Sequence, residues 1–262
     1  MKRAFFLLFC VFAIVCWSGS SFATQVEPVG VYWDMQVSYG SGSGVGDGKL
    51  ESDSSQWLSV SFPPSYTVPD TDYVAVTDNN GYYYAYADYS ADTDYLSAYT
   101  EGYASDVTSN VDWYSALSKV AILSDPFSGA SAFDLSFDYW VSIENPLPAT
   151  AKIGVGLVDL SDTTDFNNPA WVGNYDLLEF SSDYLDETNS YSRLWTGLDP
   201  THQYVFGLGA LASVSGNDDS NGGEALVEIT NLNAQAVPEP ASMLLVGAGL
   251  GALALFGRRK KA

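Results

Sequence analysis

Along residues 131–143 apolar and polar side chains alternate one for one. Phe133, Leu135, Phe137, Tyr139, Val141 and Ile143 fall on one side, and Asp134, Ser136, Asp138, Trp140 and Ser142 on the other. A period of two predicts a strand with one buried and one wet face. Segment 151–158 repeats the pattern, as does 203–214 through Tyr204, Phe206, Leu208, Ala210, Ala212 and Val214. Shorter runs at 30–39, 56–62, 72–77, 82–89 and 94–100 are separated by Gly, Pro, Asp and Asn, the residues that turns require. Segment 224–230 reads as a closing strand, expected to partner 203–214. One window is ambiguous: Trp113, Ala116, Leu117 and Val120 fall at i, i+3, i+4 and i+7, so 111–123 reads as a helix or as a strand. Strands at this spacing predict an all-β domain, an antiparallel β-sandwich of jelly-roll-like kind.

Two stretches at the ends break this pattern. Lys2-Arg3, the apolar run 4–17 and the small-x-small sequence Ser21-Phe22-Ala23 have the order of a secretory signal peptide, with cleavage by signal peptidase expected between Ala23 and Thr24. At the other end, 17 uncharged residues from Ala241 to Gly257 form a run that spans about 25 Å as a helix, the short end for a bilayer. Arg258, Arg259, Lys260 and Lys261 follow it directly. Cations are retained on the cytoplasmic side of a span, so one C-terminal transmembrane helix is predicted, with the upstream domain outside. The chain thus divides into a signal peptide (1–23), an ectodomain (24–236) and a membrane-directed tail (237–262).

Charge and cysteine content sharpen the picture. Of the ten Lys and Arg, only Lys49, Lys119, Lys152 and Arg193 lie in the ectodomain. Of the 32 Asp and Glu, all but Glu239 lie there. A surface so acidic repels nucleic acid, which is excluded as a partner. Both cysteines, Cys10 and Cys16, sit in the signal segment, so the exported part has no disulfide, thiol nucleophile or thiolate site.

Catalytic chemistry is hard to assemble. The one histidine, His202, stands at the head of a strand and reads as a surface residue, and no Gly-x-Ser-x-Gly elbow accompanies it. Paired carboxylates would serve a glycan hydrolase, but in so acidic a chain proximity of two acids carries little meaning. No cofactor is expected, with calcium the one open question. Asn217, Asp219 and Asn221 fall at positions 1, 3 and 5 of a loop with Gly222 at 6 and Glu228 at 12, a partial calcium-loop spacing that also reads as a plain hairpin. The pairs Asp70/Asp72 and Asp92/Asp94 read as solvated turns. The aromatic surplus is more informative: period two puts Tyr82, Tyr84 and Tyr86 on one face of 82–89, and Trp140 projects from the polar side of 131–143. Tyr and Trp rings on an exposed face suit stacking on sugar rings, and buried they would simply fill the sandwich.

The tail closes the reading. Val237-Pro238-Glu239-Pro240, the apolar run and Arg258-Arg259-Lys260-Lys261, in that order, resemble the PEP-CTERM sorting signal of Gram-negative bacteria. The resemblance covers only residues 237–261. It implies recognition by an exosortase, a transpeptidase-like membrane enzyme, with cleavage near the Pro-Glu-Pro. It also implies export through the inner membrane, delivery to the cell surface or extracellular matrix, and an association with exopolysaccharide and biofilm. The expectation is therefore a structural or adhesive surface protein and not an enzyme. The alternatives are a carbohydrate-binding module using exposed Tyr and Trp and, behind it, a secreted glycan hydrolase.

Overall fold

In a computed structural model, the described residues are 23–41, 49–54, 68–77, 83–104, 112–144, 149–164, 169–181, 184–217 and 222–238. They form thirteen strands and no helix: β1 (Thr24–Gln25), β2 (Pro28–Ser41), β3 (Lys49–Ser54), β4 (Asp70–Thr77), β5 (Tyr83–Ala91), β6 (Leu96–Ala104), β7 (Asp112–Ser124), β8 (Ala130–Glu144), β9 (Ala149–Asp159), β10 (Asp176–Phe180), β11 (Tyr184–Thr196), β12 (Tyr204–Asn217) and β13 (Gly223–Pro238). The first sheet runs β11-β8-β13-β6-β5-β4, with β1 also paired to β13. The second runs β10-β9-β12-β7-β2-β3, and every pairing in both is antiparallel. The predicted antiparallel sandwich is what the chain forms.

The alternation read from the sequence is the alternation that packs. Phe133, Leu135, Phe137, Val141 and Ile143 of β8 meet Ile153, Val155 and Leu157 of β9 and Phe206 and Leu208 of β12 in one continuous core. Phe133 lies at its centre, stacked on Phe127 at 5.0 Å and on Phe206 at 5.6 Å between ring centroids. Each such side chain contributes roughly 1.5–3 kcal/mol by leaving water. With no cysteine after Cys16, no disulfide lies within the sandwich and this core carries the fold.

Three expectations need correction or completion. Segment 111–123 is a strand, β7: Tyr114, Ala116, Ser118, Val120 and Ile122 are buried in alternation. Ala116 and Val120 are four residues apart and so satisfy a helical and a strand period alike, which is why the window was ambiguous. Strands 203–214 and 224–230 are not neighbours. β12 pairs with β7 and β9, whereas β13 pairs with β8, β6 and β1 in the other sheet. They face one another across the core, and a Cβ at Gly223 would stand 3.8 Å from the Val214 side chain. The loop between them is thus an inter-sheet connection, not a hairpin. The same holds between β8 and β9, which lie in different sheets.

Strands β3, β10 and β11 were not anticipated. β3 and β11 end their sheets, and Lys49–Ser54 and Tyr184–Thr196 are largely polar in sequence, so neither shows the alternation of a half-buried strand. Segment 56–62 and the run 241–257 lie outside the described residues. Among the described residues, no helix is long and apolar enough to cross a membrane.

Candidate functional site

The outer face of the first sheet collects the aromatic side chains. Strand β5 supplies Tyr84 and Tyr86, and pairing with β6 places Tyr103 opposite Tyr84 and Glu101 opposite Tyr86. On the same face, β4 adds Tyr73 opposite Asp88, and β6 adds Tyr99 opposite Asp88 from the other side. The five rings touch. Tyr73 and Tyr86 stack at 5.9 Å, Tyr84 and Tyr86 at 6.3 Å with planes only 9° apart, Tyr84 tilts on Tyr103 at 5.9 Å, and Tyr99 meets Tyr86 edge-on at 5.9 Å. Tyr73 is 64% exposed and Tyr103 36%, while Tyr84, Tyr86 and Tyr99 are half-buried between them. The product is a contiguous, partly exposed aromatic pad three strands wide.

What lets this part of the sheet pack closely on the opposite one is a glycine beneath the pad. Gly102 points inward, and a Cβ there would stand 2.4 Å from the Tyr114 ring of the opposite sheet. Only a residue without a side chain lets β6 rest on that ring.

Carboxylates edge the pad. The Tyr86 hydroxyl donates to Asp88 Oδ2 at 2.8 Å, and the Tyr99 hydroxyl donates to Glu101 Oε2 at 3.2 Å. Burial, followed by the bond to Asp88 and its charge, pushes the Tyr86 phenol well above its usual range. Burial and the charges of Glu224 and Glu101 do the same to Tyr99. Both therefore stay neutral, as ring-stacking requires. Burial also raises the Asp88 carboxyl, with the Tyr86 bond pulling it back. Beyond Glu101 the row continues across the sheet: Glu224 of β13 lies opposite Glu101, and Glu144 of β8 lies opposite Glu224. Three glutamates thus stand side by side on adjacent strands, about 4.8 Å per step. Burial, then Glu144 and Glu101, lifts the Glu224 carboxyl above the ordinary carboxylate range.

The expected glycan-stacking residues divide under this geometry. Tyr84 and Tyr86 belong to the pad, whereas Tyr82 lies outside the described residues. Trp140 is on the same outer face, 37% exposed, its indole N–H donating to Asp186 Oδ1 at 2.6 Å. It stands on β8, three strands from β5, so it is not part of the tyrosine cluster. Tyr73, Tyr99 and Tyr103 were missed. The period of two within 96–104 already put Tyr99, Glu101 and Tyr103 on one side, but only the β4–β5–β6 register joins them to Tyr84 and Tyr86.

Other clusters arise where strands end. His202 is not an isolated surface residue. Its Nδ1 lies 2.7 Å from Asp159 Oδ2 and its Nε2 lies 3.8 Å from Asp199 Oδ2. Atoms of Asp159, Asp162 and His202 lie within 4.8 Å of one another. The bond to Asp159, against a smaller effect of burial, holds the imidazole above its usual range, with the charges of Asp159, Asp199 and Asp162 adding to it. Asp159 and Asp162 lie some forty residues away in sequence and only the fold brings them in, whereas Asp199 is three residues away. Of the calcium-loop spacing, Glu228 lies on β13 opposite Ser97 and Trp140, and Asn217 ends β12. Positions 219 and 221 lie outside the described residues.

Two clefts hold a carboxylate pair each. One of about 360 Å³ lies between β1 and segment 125–130, with Glu27 and Asp125, and one of about 410 Å³ has Asp70 and Asp92. Asp70 is already engaged, accepting the Tyr89 hydroxyl at 3.0 Å and the Thr71 N–H at 3.1 Å.

The sorting residues are reached from the same end as the first cleft. β13 continues to Pro238, with Val237 opposite Ala132 and Pro238 opposite Ala130, and Thr24 of β1 pairs with Ala236. Residues 236–261 match the family model of the PEP-CTERM protein-sorting motif. The chain carries a PEP-CTERM sorting motif. That motif marks a protein for export and exosortase-mediated sorting to the cell surface, and its first three residues are the last of β13. Glu239, Pro240 and Arg258–Lys261 lie outside the described residues.

No curated protein matches the chain. Among solved structures, similarity is found to TmCBM61 in complex with β-1,4-galactotriose, at 8% identity over 63% of this chain and 88% of that one, TM-score 0.25. It is also found to carbohydrate-binding modules from the β-sandwich superfamily, at 12% identity over 81% and 96%, TM-score 0.26. A third is the enzymatically active domain of tailspike protein 4 of bacteriophage CBA120, at 11% identity, TM-score 0.25; that match spans 64% of this chain but only 19% of the tailspike domain. Scores this low carry neither ligand nor activity to this chain.

Proposed function

We propose that the exported domain is a non-catalytic, adhesive glycan-binding module of the cell surface and its exopolysaccharide matrix, holding polysaccharide on the tyrosine face of β4, β5 and β6. The observation that carries this reading is the pad itself. Five contacting tyrosine rings lie on a wet sheet face, where burial for its own sake gives no reason for them. Flat rings with a polar edge match the apolar faces and hydroxyl rim of a sugar.

Delivery follows from the two ends. Signal peptidase cuts between Ala23 and Thr24, the 241–257 helix holds the protein in the inner membrane, and an exosortase removes or exchanges the tail near Pro238–Pro240. Intact-mass analysis of the protein from its host's surface fraction tests this. A mass still containing Ala241–Ala262 would overturn it.

Binding is tested by affinity electrophoresis against a panel of neutral, amino and acidic polysaccharides. At least one retards the full-length protein, and Tyr73→Ala weakens that binding about five-fold, roughly the 1 kcal/mol of one stacked ring. Tyr73 is exposed, so its removal leaves the fold intact. A panel without any retardation, or full retardation of a Tyr73→Ala, Tyr84→Ala, Tyr86→Ala variant, would sink the proposal.

A further inference from the structure

The chemistry around the pad narrows its ligand. Among the described residues, every ionisable carboxyl or amino group on the outer face of the first sheet is an acid: Asp88 and Glu101 beside the rings, Glu224 and Glu144 next, then Glu228, Asp186, Asp138 and Asp134. The ectodomain's few cations are elsewhere. Lys119 pairs with Asp34 and Lys152 with Glu179 on the second sheet, and Arg193 pairs with Asp176 of β10 at 2.7 Å. The fourth, Lys49, lies on β3 of the second sheet.

Acidic side chains facing each other across adjacent strands are unfavourable by a few tenths to about 1 kcal/mol per pair. Here Glu101, Glu224 and Glu144 form two such pairs in one row, and among the described residues no cation on the face offsets them, the Tyr99 hydroxyl on Glu101 being a neutral donor. The same row begins at Tyr86, so the glutamates continue the line of the rings.

We propose that the glycan held on this pad carries protonated amines, its sugar rings stacking on the tyrosines and its ammonium groups received by Glu101, Glu224 and Glu144. The proposal rests on the glycan-binding reading and adds a charge class to it. Uronate, sulfate or pyruvate groups would meet a uniformly negative face and be repelled. An ammonium group instead removes the like-charge repulsion of the row, and each of its three N–H donors finds a carboxylate acceptor. The raised Glu224 carboxyl accords with this: a cation beside it draws its proton off. Binding therefore strengthens as pH rises through the carboxylate range and fades again as the ligand amines deprotonate.

The test uses full-length protein in non-ionic detergent with three probes: glucosamine oligomers with free amines, their fully N-acetylated counterparts, and oligogalacturonate. Binding is read by calorimetry. The amino oligomer binds at least ten-fold tighter than the acetylated one and oligogalacturonate does not bind. Glu101→Gln with Glu224→Gln removes most of that ten-fold preference, the amino oligomer losing far more affinity than the acetylated one. A control pair, Asp125→Asn with Glu179→Gln, removes equal charge away from the pad and leaves the preference intact. Equal binding of amino and acetylated oligomers overturns the amine assignment while the glycan reading stands. An equal loss in the control pair also overturns it, because attraction is then to net charge alone. Absence of binding to all three, together with none in the polysaccharide panel, overturns the parent reading.

Discussion

The two outer faces of the sandwich are built from the same strand geometry and treat charge in opposite ways. On the second sheet, acids are matched: Asp34 has Lys119 at 3.0 Å and Glu179 has Lys152 at 2.5 Å. Between these pairs the surface is small and apolar, formed by Gly154, Gly209, Leu177 and Leu211. On the first sheet, tyrosines replace the small residues, and among the described residues the acids of its outer face have no cation. Stability alone would favour the second arrangement, since like charges on neighbouring strands cost free energy and matched ones return a little. The first face keeps the less stable arrangement, which the proposed binding role would account for.

The sharpest way to break this comparison is through the glycines beneath and upon the two faces. Gly102→Ala drives a methyl into the Tyr114 ring and lowers stability by about 1–3 kcal/mol in urea unfolding, with loss of glycan binding as β6 lifts. Gly154→Ala, on the second face, meets nothing within 4 Å and is neutral or stabilising by a few tenths of a kcal/mol. If Gly102→Ala proved neutral, the pad would not depend on the packing beneath it.

Next in size are opposite responses to charge removal. Glu224→Gln relieves the row and raises stability by about 0.5 kcal/mol at pH 7. The Glu224 carboxyl is raised in the folded state, so its stabilising contribution is present below the unfolded carboxylate pKa and lost as pH rises through the folded value. The gain from Glu224→Gln must therefore vanish at acid pH. Glu179→Gln does the reverse and costs up to about 0.5 kcal/mol, since Glu179 is well exposed and its bridge is screened. Chemical denaturation at pH 4 and pH 7 separates the two, and matching signs would erase the contrast.

The smallest effect is at His202, the one cation held by several acids outside either face. Its folded pKa is raised, so it adds stability that is complete below the unfolded value near 6.5 and is lost as pH rises through the folded one. Thermal melts of the wild type should fall slightly across that window relative to His202→Gln, whose profile stays flat there. Parallel profiles would mean that the imidazole gains nothing from Asp159.

Strand faces were legible in the sequence and strand partners were not. Phe133 to Ile143 declared their inward side because each inward position is apolar and each outward one polar or amphipathic. The order of strands did not declare itself, because the chain crosses between sheets at almost every connection after β6. Adjacency in sequence therefore predicted the wrong neighbour for 224–230. The site divides along the same line. Tyr84 and Tyr86 share one strand and were read from period two, whereas Tyr73, Tyr99, Glu224 and Glu144 reach them only through four ladders of register. Asp159 and His202 are joined by a fold-level contact that no local pattern encodes.

Strand β13 ties the two halves of this account together. It begins at Gly223 beside Gly102 of the pad strand β6, shares seven register partners with β6, and ends at Pro238 where the sorting motif takes over. Along the way it shares thirteen partners with β8. A pull between a polymer on the pad and the C-terminal tail therefore runs lengthwise down one central strand. Its hydrogen bonds are loaded together, in shear, and none has to open before the next. The strand that presents the sorting motif is also the molecule's tension member.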